Sequence, residues 1–236
     1  MSYADHLRAL FPDVELTAGD VALLEPHQIA GLAGRVDPKT LADAVATEPH
    51  IGEHLVNRYP LIAGYLEHLP AGEPNRSAVQ DFLWEIADWF VYVKAPEVYD
   101  AHVIHDWDFA VVTDEIDLAG RDVVDAGAGT GRIAFAAAPV AAVVYAVEPT
   151  ARLRRYIEDK AATHGVTNIE TLAGTLESIP LPGGSADALL TCRAIGWNLD
   201  EELAEIERVV RPGGTAIHLG MPDPPGPNLP LHDSLQ

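Results

Sequence analysis

Cysteine occurs once in this 236-residue chain, as Cys192, so no disulfide can form within it and the expected compartment is a reducing one, the cytoplasm. Lysine is nearly absent, and arginine supplies most of the positive charge. No uninterrupted apolar run reaches the roughly 18 residues that a membrane span requires, so no span is expected. The start, Met1-Ser2-Tyr3-Ala4-Asp5-His6, lacks a basic region followed by an apolar core, so no secretory signal is expected. Basic charge is scarce: 15 Lys and Arg stand against 36 Asp and Glu, a formal net charge of -21. So acidic a surface repels phosphate backbones, which argues against DNA or bulk RNA as partner. Arg152, Arg154 and Arg155 form the densest basic group.

Hydrophobic residues make up 48% of the chain, enough for a sizeable core. The texture changes near residue 120. Before it the pattern is helical. Asp37-Pro38-Lys39-Thr40 predicts a helix start, with aspartate as cap and proline in the first turn. Residues 51–69 predict one or two helices broken near Pro60, and residues 70–77 a loop. From Ser77 to about Val93, Phe82, Ile86, Trp89, Phe90 and Val93 recur at helical spacing, predicting one amphipathic helix that Pro96 ends.

After residue 120, strands alternate with helices. Strands are predicted at 122–125, 142–147, 169–172, 186–191 and 215–219. Helices are predicted at 132–138, 150–165 (ended by Gly165) and 200–210. Arg211-Pro212-Gly213-Gly214 is a turn that aims the fifth strand. Such alternation implies a parallel sheet covered on both faces, with ligands bound at the carboxyl ends of its strands. The tail from Met221 is proline-rich and predicts extended or irregular chain.

Asp125-Ala126-Gly127-Ala128-Gly129-Thr130-Gly131 lies between a predicted strand and helix. Glycines there allow a tight turn and close approach of a ligand to the backbone. A dinucleotide fingerprint would need a glycine at position 132, where Arg132 stands, and no Gly-Lys-Ser/Thr follows to make a phosphate-binding loop. Glu148, about 20 residues on at the end of the second strand, is placed to accept from ribose hydroxyls. The pattern points to a nucleoside without a pyrophosphate.

Residues from about 97 to 220 resemble the class I S-adenosylmethionine-dependent methyltransferases, nearest to the small-molecule group that includes quinone-biosynthesis enzymes. The resemblance rests on five segments in the family's order: residues 123–131, Val147-Glu148-Pro149, residues 174–182, Ser185-Ala186-Asp187, and residues 207–214. It implies a Rossmann-like, doubly wound α/β fold with a mainly parallel sheet in the order 3-2-1-4-5, lacking the family's C-terminal strands 6 and 7. It divides the chain into a helical N-terminal region (1–95), a cofactor-binding domain (96–220) and a tail (221–236). The helical region would serve as lid, acceptor pocket or dimer surface, and a homodimer is one way to cover the sheet edge.

The resemblance further implies S-adenosylmethionine as cofactor, S-adenosylhomocysteine as product and a small-molecule methyl acceptor. Asp125, Gly127, Ala128, Gly129 and Gly131 would line the methionine part of the site, Glu148 and Pro149 the ribose, Thr175 and Leu176 the adenine, and Arg193 the mouth. The family often has an acid where Thr175 stands; a hydroxyl accepts there with less charge assistance. Tyr99, Trp107, Trp197 and Asn198 are candidates for the acceptor pocket. His102 and His105 are candidates for a general base, needed only where the acceptor loses a proton. Cys192 has no recognisable partner base and is expected to be a small buried residue.

His50-Ile51-Gly52-Glu53-His54 matches the H-x-x-E-H pattern of inverted zinc peptidases, but Gly52 weakens the helix and no third ligand segment follows. No metal is therefore assigned. Two alternatives to a methyltransferase stay open at this point: a non-catalytic S-adenosylmethionine-binding module, and a zinc hydrolase centred on His50 and His54.

Overall fold

The computed structural model describes residues 2–101 and 108–220. The chain divides into two compact units, Met1–His102 and Val103–Gln236. Among the described residues no helix is long and apolar enough to cross a membrane.

The first unit is helical: α1 (Tyr3–Leu10), α2 (Pro26–Arg35), α3 (Pro38–Thr47), α4 (His50–Arg58), α5 (Ala63–Glu67), α6 (Ala78–Glu85), α7 (Val91–Lys94) and α8 (Pro96–Asp100), with short 3-10 turns between some of them. The start of α3 is as expected: the Asp37 side chain accepts from the Lys39 and Thr40 N–H groups, and Pro38 opens the helix. The core holds Phe11, Leu24, Ile29, Leu32, Leu41, Leu55, Phe82 and Phe90, all essentially out of solvent.

The single helix expected over 77–93 is instead three pieces, α6, a 3-10 turn at Ala87–Trp89, and α7. Phe82, Leu83, Trp84, Ile86, Ala87, Phe90 and Val91 are all buried, and on one straight helix they would spread over about 200°, wider than the usual core-facing stripe of about 100°. Two breaks turn them inward. Each break frees a carbonyl, and α2 supplies the replacement donor: Arg35 Nε donates to Glu85 O (3.0 Å) and Gln28 Nε2 donates to Trp89 O (2.9 Å).

The second unit contains α9 (Ala110–Thr113), β1 (Asp122–Ala126), α10 (Arg132–Ala137), β2 (Val143–Val147), α11 (Ala151–His164), β3 (Ile169–Leu172), β4 (Ala186–Cys192), α12 (Leu199–Val209) and β5 (Val210–Leu219). The sheet is parallel throughout, in the order β3-β2-β1-β4-β5. Successive residues serve opposite faces: Val123 and Leu190 pack with Ile133 and Ile157 of α10 and α11, whereas Val124 and Leu189 pack with Ile206 and Val209 of α12. This is the doubly wound α/β architecture expected. Gly165 caps α11 in the left-handed region, also as expected.

The Arg-Pro-Gly-Gly turn lies inside β5. Ala186 pairs with Val210 and Ala188 with Thr215, so residues 211–214 leave the ladder between two pairings. Gly214 must be small there, since a Cβ would lie 2.7 Å from Val210 Cγ1 and 2.9 Å from Asp187 O.

Candidate active site

Three features meet at the carboxyl ends of β1, β2 and β4, where a doubly wound sheet receives ligands. The first is the glycine loop after β1. Gly127, Gly129 and Gly131 all have positive φ (74°, 56° and 79°), which L side chains rarely adopt. A Cβ on Gly129 would meet nothing within 4 Å, so the loop has an open side there. Its N–H groups are already engaged. Gly127 and Ala128 donate to Val147 O (2.9 and 3.0 Å), Gly129 to Glu148 Oε2 (2.9 Å), and Gly131 to Ala128 O (2.7 Å). A phosphate-binding nest needs such donors unspent. Their engagement agrees with a ligand that has no pyrophosphate.

The second feature is a pair of buried acids. Asp125 is 1% exposed, and its Oδ2 accepts the Ala134 N–H from the first turn of α10 (2.9 Å). Burial pushes its carboxyl up to about 7, and the charge of Glu148 adds to the rise against the Ala134 bond. Glu148 is 5% exposed; Oε2 takes Gly129 N–H and Oε1 takes Thr150 N–H (2.8 Å). Burial raises its pKa too, opposed by those two bonds, by a hydrogen bond from the Thr150 side chain and by Arg154. Arg154 Nη1 also donates to the carbonyls of Glu148 (2.6 Å) and Pro149 (2.7 Å), fixing the turn that carries the acid.

The third is the segment between β4 and α12. Arg193 has φ 55°, the one positive value among the described non-glycine residues, and its N–H donates to Leu219 O (3.3 Å). Ala194 lies over the glycine loop: its Cβ is 2.4 Å from where a Cβ on Gly127 would stand, and Leu176 Cδ1 is 3.4 Å from the same point. Gly127, Ala194 and Leu176 therefore share one spot, and only glycine fits the first position.

Asp125, Gly127, Ala128, Gly129, Gly131, Glu148, Leu176 and Arg193 thus belong to one end of the sheet. Thr175 is exposed and pairs with Ser178 backbone to backbone, and Pro149 is exposed beside Glu148. Trp197 is 53% exposed and Asn198 precedes α12. Tyr99 lies in the helical unit, stacked on Phe11 at 6.3 Å. His102, His105 and Trp107 lie outside the described residues. Burial pushes the Cys192 thiol up, away from a thiolate at neutral pH, with Arg193 opposing. Among the described residues no group of three His, Cys, Asp or Glu forms a metal site; His50 lies 3.3 Å from Glu48 on the helical unit.

Sequence reasoning passed over Arg154 as an anchor and Glu202 altogether. Glu202 sits in an acidic run, Asp200-Glu201-Glu202, that reads as solvated helix start. The rule for helix N-termini names Glu201, at the third position after Asn198, yet the buried acid is Glu202, one residue on. Asp187 accepts the Asp122 N–H (2.7 Å) and pairs with Arg211 (2.5 Å), a structural role.

Could the residues present hold an adenosyl sulfonium? The open side at Gly129, the absence of a phosphate nest and two buried carboxylates beside the loop all fit a nucleoside that carries positive charge. The Glu148 carboxylate takes three protein donors, the Gly129 and Thr150 N–H groups and the Thr150 hydroxyl, which leaves one of its four lone-pair sites for a ligand hydroxyl.

Residues 124–218 match the family described as methyltransferase domain. An uncharacterised methyltransferase of Mycobacterium tuberculosis is 36% identical over 100 residues, covering 42% of this chain and 39% of the relative. The ubiquinone/menaquinone biosynthesis C-methyltransferase of Rubrivivax gelatinosus is 31% identical over 108 residues, covering 45% and 41%. The crystal structure of the YcgJ protein of Bacillus subtilis aligns with a TM-score of 0.44 at 26% identity, covering 46% of this chain and 47% of that one. The chain matches about two fifths of the length of these curated relatives.

Proposed function

We propose, from the premise that residues 124–218 form a class I S-adenosylmethionine-dependent methyltransferase domain, that this chain methylates a small-molecule acceptor. The observation that carries the reading is Glu148: a buried carboxylate at the end of β2, braced on the glycine loop and on Thr150, with one lone-pair site left for a hydroxyl. The bound cofactor would supply an electrophilic methyl carbon on sulfonium sulfur.

This chain's own residues then bind and orient. Glu148 accepts from a ribose hydroxyl, and Arg154 keeps its turn in place. Thr175 and Leu176 border the adenine. Asp125 has a carboxyl near half-ionised at neutral pH, so a cation beside it draws out the charged form, and loss of that cation lets the proton return. Arg193 and Ala194 bound the mouth, with Trp197 and Asn198 toward the acceptor. Holding the acceptor in line and excluding water supplies much of the rate in such a displacement. Where the acceptor must lose a proton, His102 or His105 takes it. A small-molecule acceptor is supported by the net charge of -21, which disfavours nucleic acid, and by the quinone-biosynthesis name of the Rubrivivax relative.

Calorimetric titration with S-adenosylmethionine and S-adenosylhomocysteine tests the reading, followed by methyl transfer to a panel of small acceptors. The wild-type chain is expected to bind both, and Glu148→Ala to bind about 10- to 100-fold more weakly, the worth of hydrogen bonds to a charged group. No binding by the wild type would overturn the proposal. Binding without turnover on any acceptor would favour a non-catalytic module.

A further inference from the structure

Three acids open α12, and they are used differently. Asp200 and Glu201 are exposed and complement the helix dipole. Glu202 is 1% exposed. Its Oε2 accepts the Gly196 N–H (2.6 Å), and its Oε1 accepts the N–H groups of Trp197 (3.1 Å) and Asn198 (3.2 Å). One carboxylate thus gathers three successive amides of the segment between β4 and α12.

Burying a carboxylate is costly unless it is well hydrogen-bonded, and a helix start with two exposed acids has no need of a third inside. What Glu202 adds is a fixed path for the segment. That path is unusual, with φ 55° at Arg193 and 111° at Gly196, and it sets Ala194 against Gly127. Backbone held in such regions persists only when its surroundings over-determine it. The strand order puts Glu148, at the end of β2, and this segment, after β4, on opposite sides of β1. A nucleoside held by Glu148 therefore leaves its far end toward residues 193–198.

We propose that Glu202 is a positioning residue, holding residues 193–198 against the glycine loop and so setting recognition of the cofactor's amino-acid tail without touching the ligand. The inference rests on the methyltransferase reading and deepens it. It predicts a split between two probes that share the nucleoside and differ in the tail, S-adenosylhomocysteine and adenosine.

In Glu202→Ala, affinity for S-adenosylhomocysteine is expected to fall about tenfold or more, with adenosine within about twofold of wild type. Glu202→Gln, which keeps one carbonyl oxygen for the amides, should fall between. Hydrogen exchange at Gly196, Trp197 and Asn198 should be slow in the wild type and fast in Glu202→Ala. Retained adenosine binding certifies the fold of each variant. Equal weakening of both probes, an unchanged S-adenosylhomocysteine affinity, or unchanged exchange at the three amides would each overturn the proposal. If Glu202→Ala fails to fold, Glu202→Gln decides by the same split. A wild type that binds neither probe overturns the methyltransferase reading itself, an outcome distinct from a wild type that binds both and a variant that shows no split.

Discussion

The two units spend their unusual features differently. In the helical unit none of the described residues has positive φ, and its glycines sit in ordinary backbone. Among its described residues the one buried polar or charged residue is Gln28, used to mend a broken helix. In the sheet unit all the positive-φ residues occur, and so do four buried carboxylates, Asp125, Glu148, Asp187 and Glu202. Each of those acids accepts a backbone N–H, Asp187 from the start of β1 and the other three from a turn or helix end. Strain and buried charge are costs a fold avoids unless something requires them. Three of the four acids, and the glycines at 127, 129 and 131, lie at the carboxyl ends of the strands. The comparison teaches that, among the described residues, the features that cost most gather in the sheet unit, at the ends of its strands.

Substitutions can break or sharpen that contrast. Gly127→Ala should have the largest effect. The left-handed φ and the overlap with Ala194 together cost roughly 2–5 kcal/mol, and S-adenosylhomocysteine binding should vanish. Full stability and undiminished binding in this variant would remove the basis for calling the loop a site.

Asp125→Asn should come next, as a pH effect. The folded pKa of about 7 lies above the ordinary carboxylate range, so between about pH 4 and 7 the native state holds a proton that the unfolded chain has released. Stability from this group is full below pH 4 and falls as pH rises toward 7, by as much as about 4 kcal/mol. Asparagine keeps an acceptor for the Ala134 N–H and has no charge, so the variant should lose that slope. Hydrogen exchange of β1 amides between pH 4.5 and 8 measures it; an unaltered slope would refute the assignment.

Arg35→Ala tests the other side of the contrast. It deletes the bond to Glu85 O, the 2.8 Å ion pair with Asp88 and the packing over Tyr3 and Trp89. Roughly 2–3 kcal/mol of stability should be lost from the helical unit, read by urea denaturation. Gly34→Ala should give the smallest change and the opposite sign. Position 34 is exposed, within α2, and a Cβ meets nothing, so about 0.5–1 kcal/mol of stabilisation is expected. Destabilisation by this variant would put Gly34 beside Gly72, where a Cβ would run into the Ala42 backbone, among the glycines that the helical unit cannot spare.

The sheet was legible because its signals are local and redundant. Apolar runs such as Val123-Val124 and Leu189-Leu190 are buried on both faces, and the glycines and Glu148 stand where strands end. The Asp37 cap and the Gly165 stop follow from residue chemistry alone. The breaks in 78–94 were not legible, because the donors that make them affordable, Gln28 and Arg35, are about fifty residues or more upstream in sequence. Glu202 was hidden by its neighbours: three acids in a row look alike until burial separates them. Positions 211–214 were read as a turn, and the sequence could not say that strand pairing resumes on both sides of it.

The mended helix makes α2 a ruler. Gln28 and Arg35 are seven positions apart, two helical turns or about 10.5 Å at 1.5 Å per residue, and they engage carbonyls at Trp89 and Glu85, four positions apart and in reverse order. An insertion or deletion of one residue between 28 and 35 would swing one of the two donors about 100° around the helix and off its carbonyl. Between those two positions the exposed sites can exchange side chains, while Ile29 and Leu32 stay in the core and the chain cannot change length.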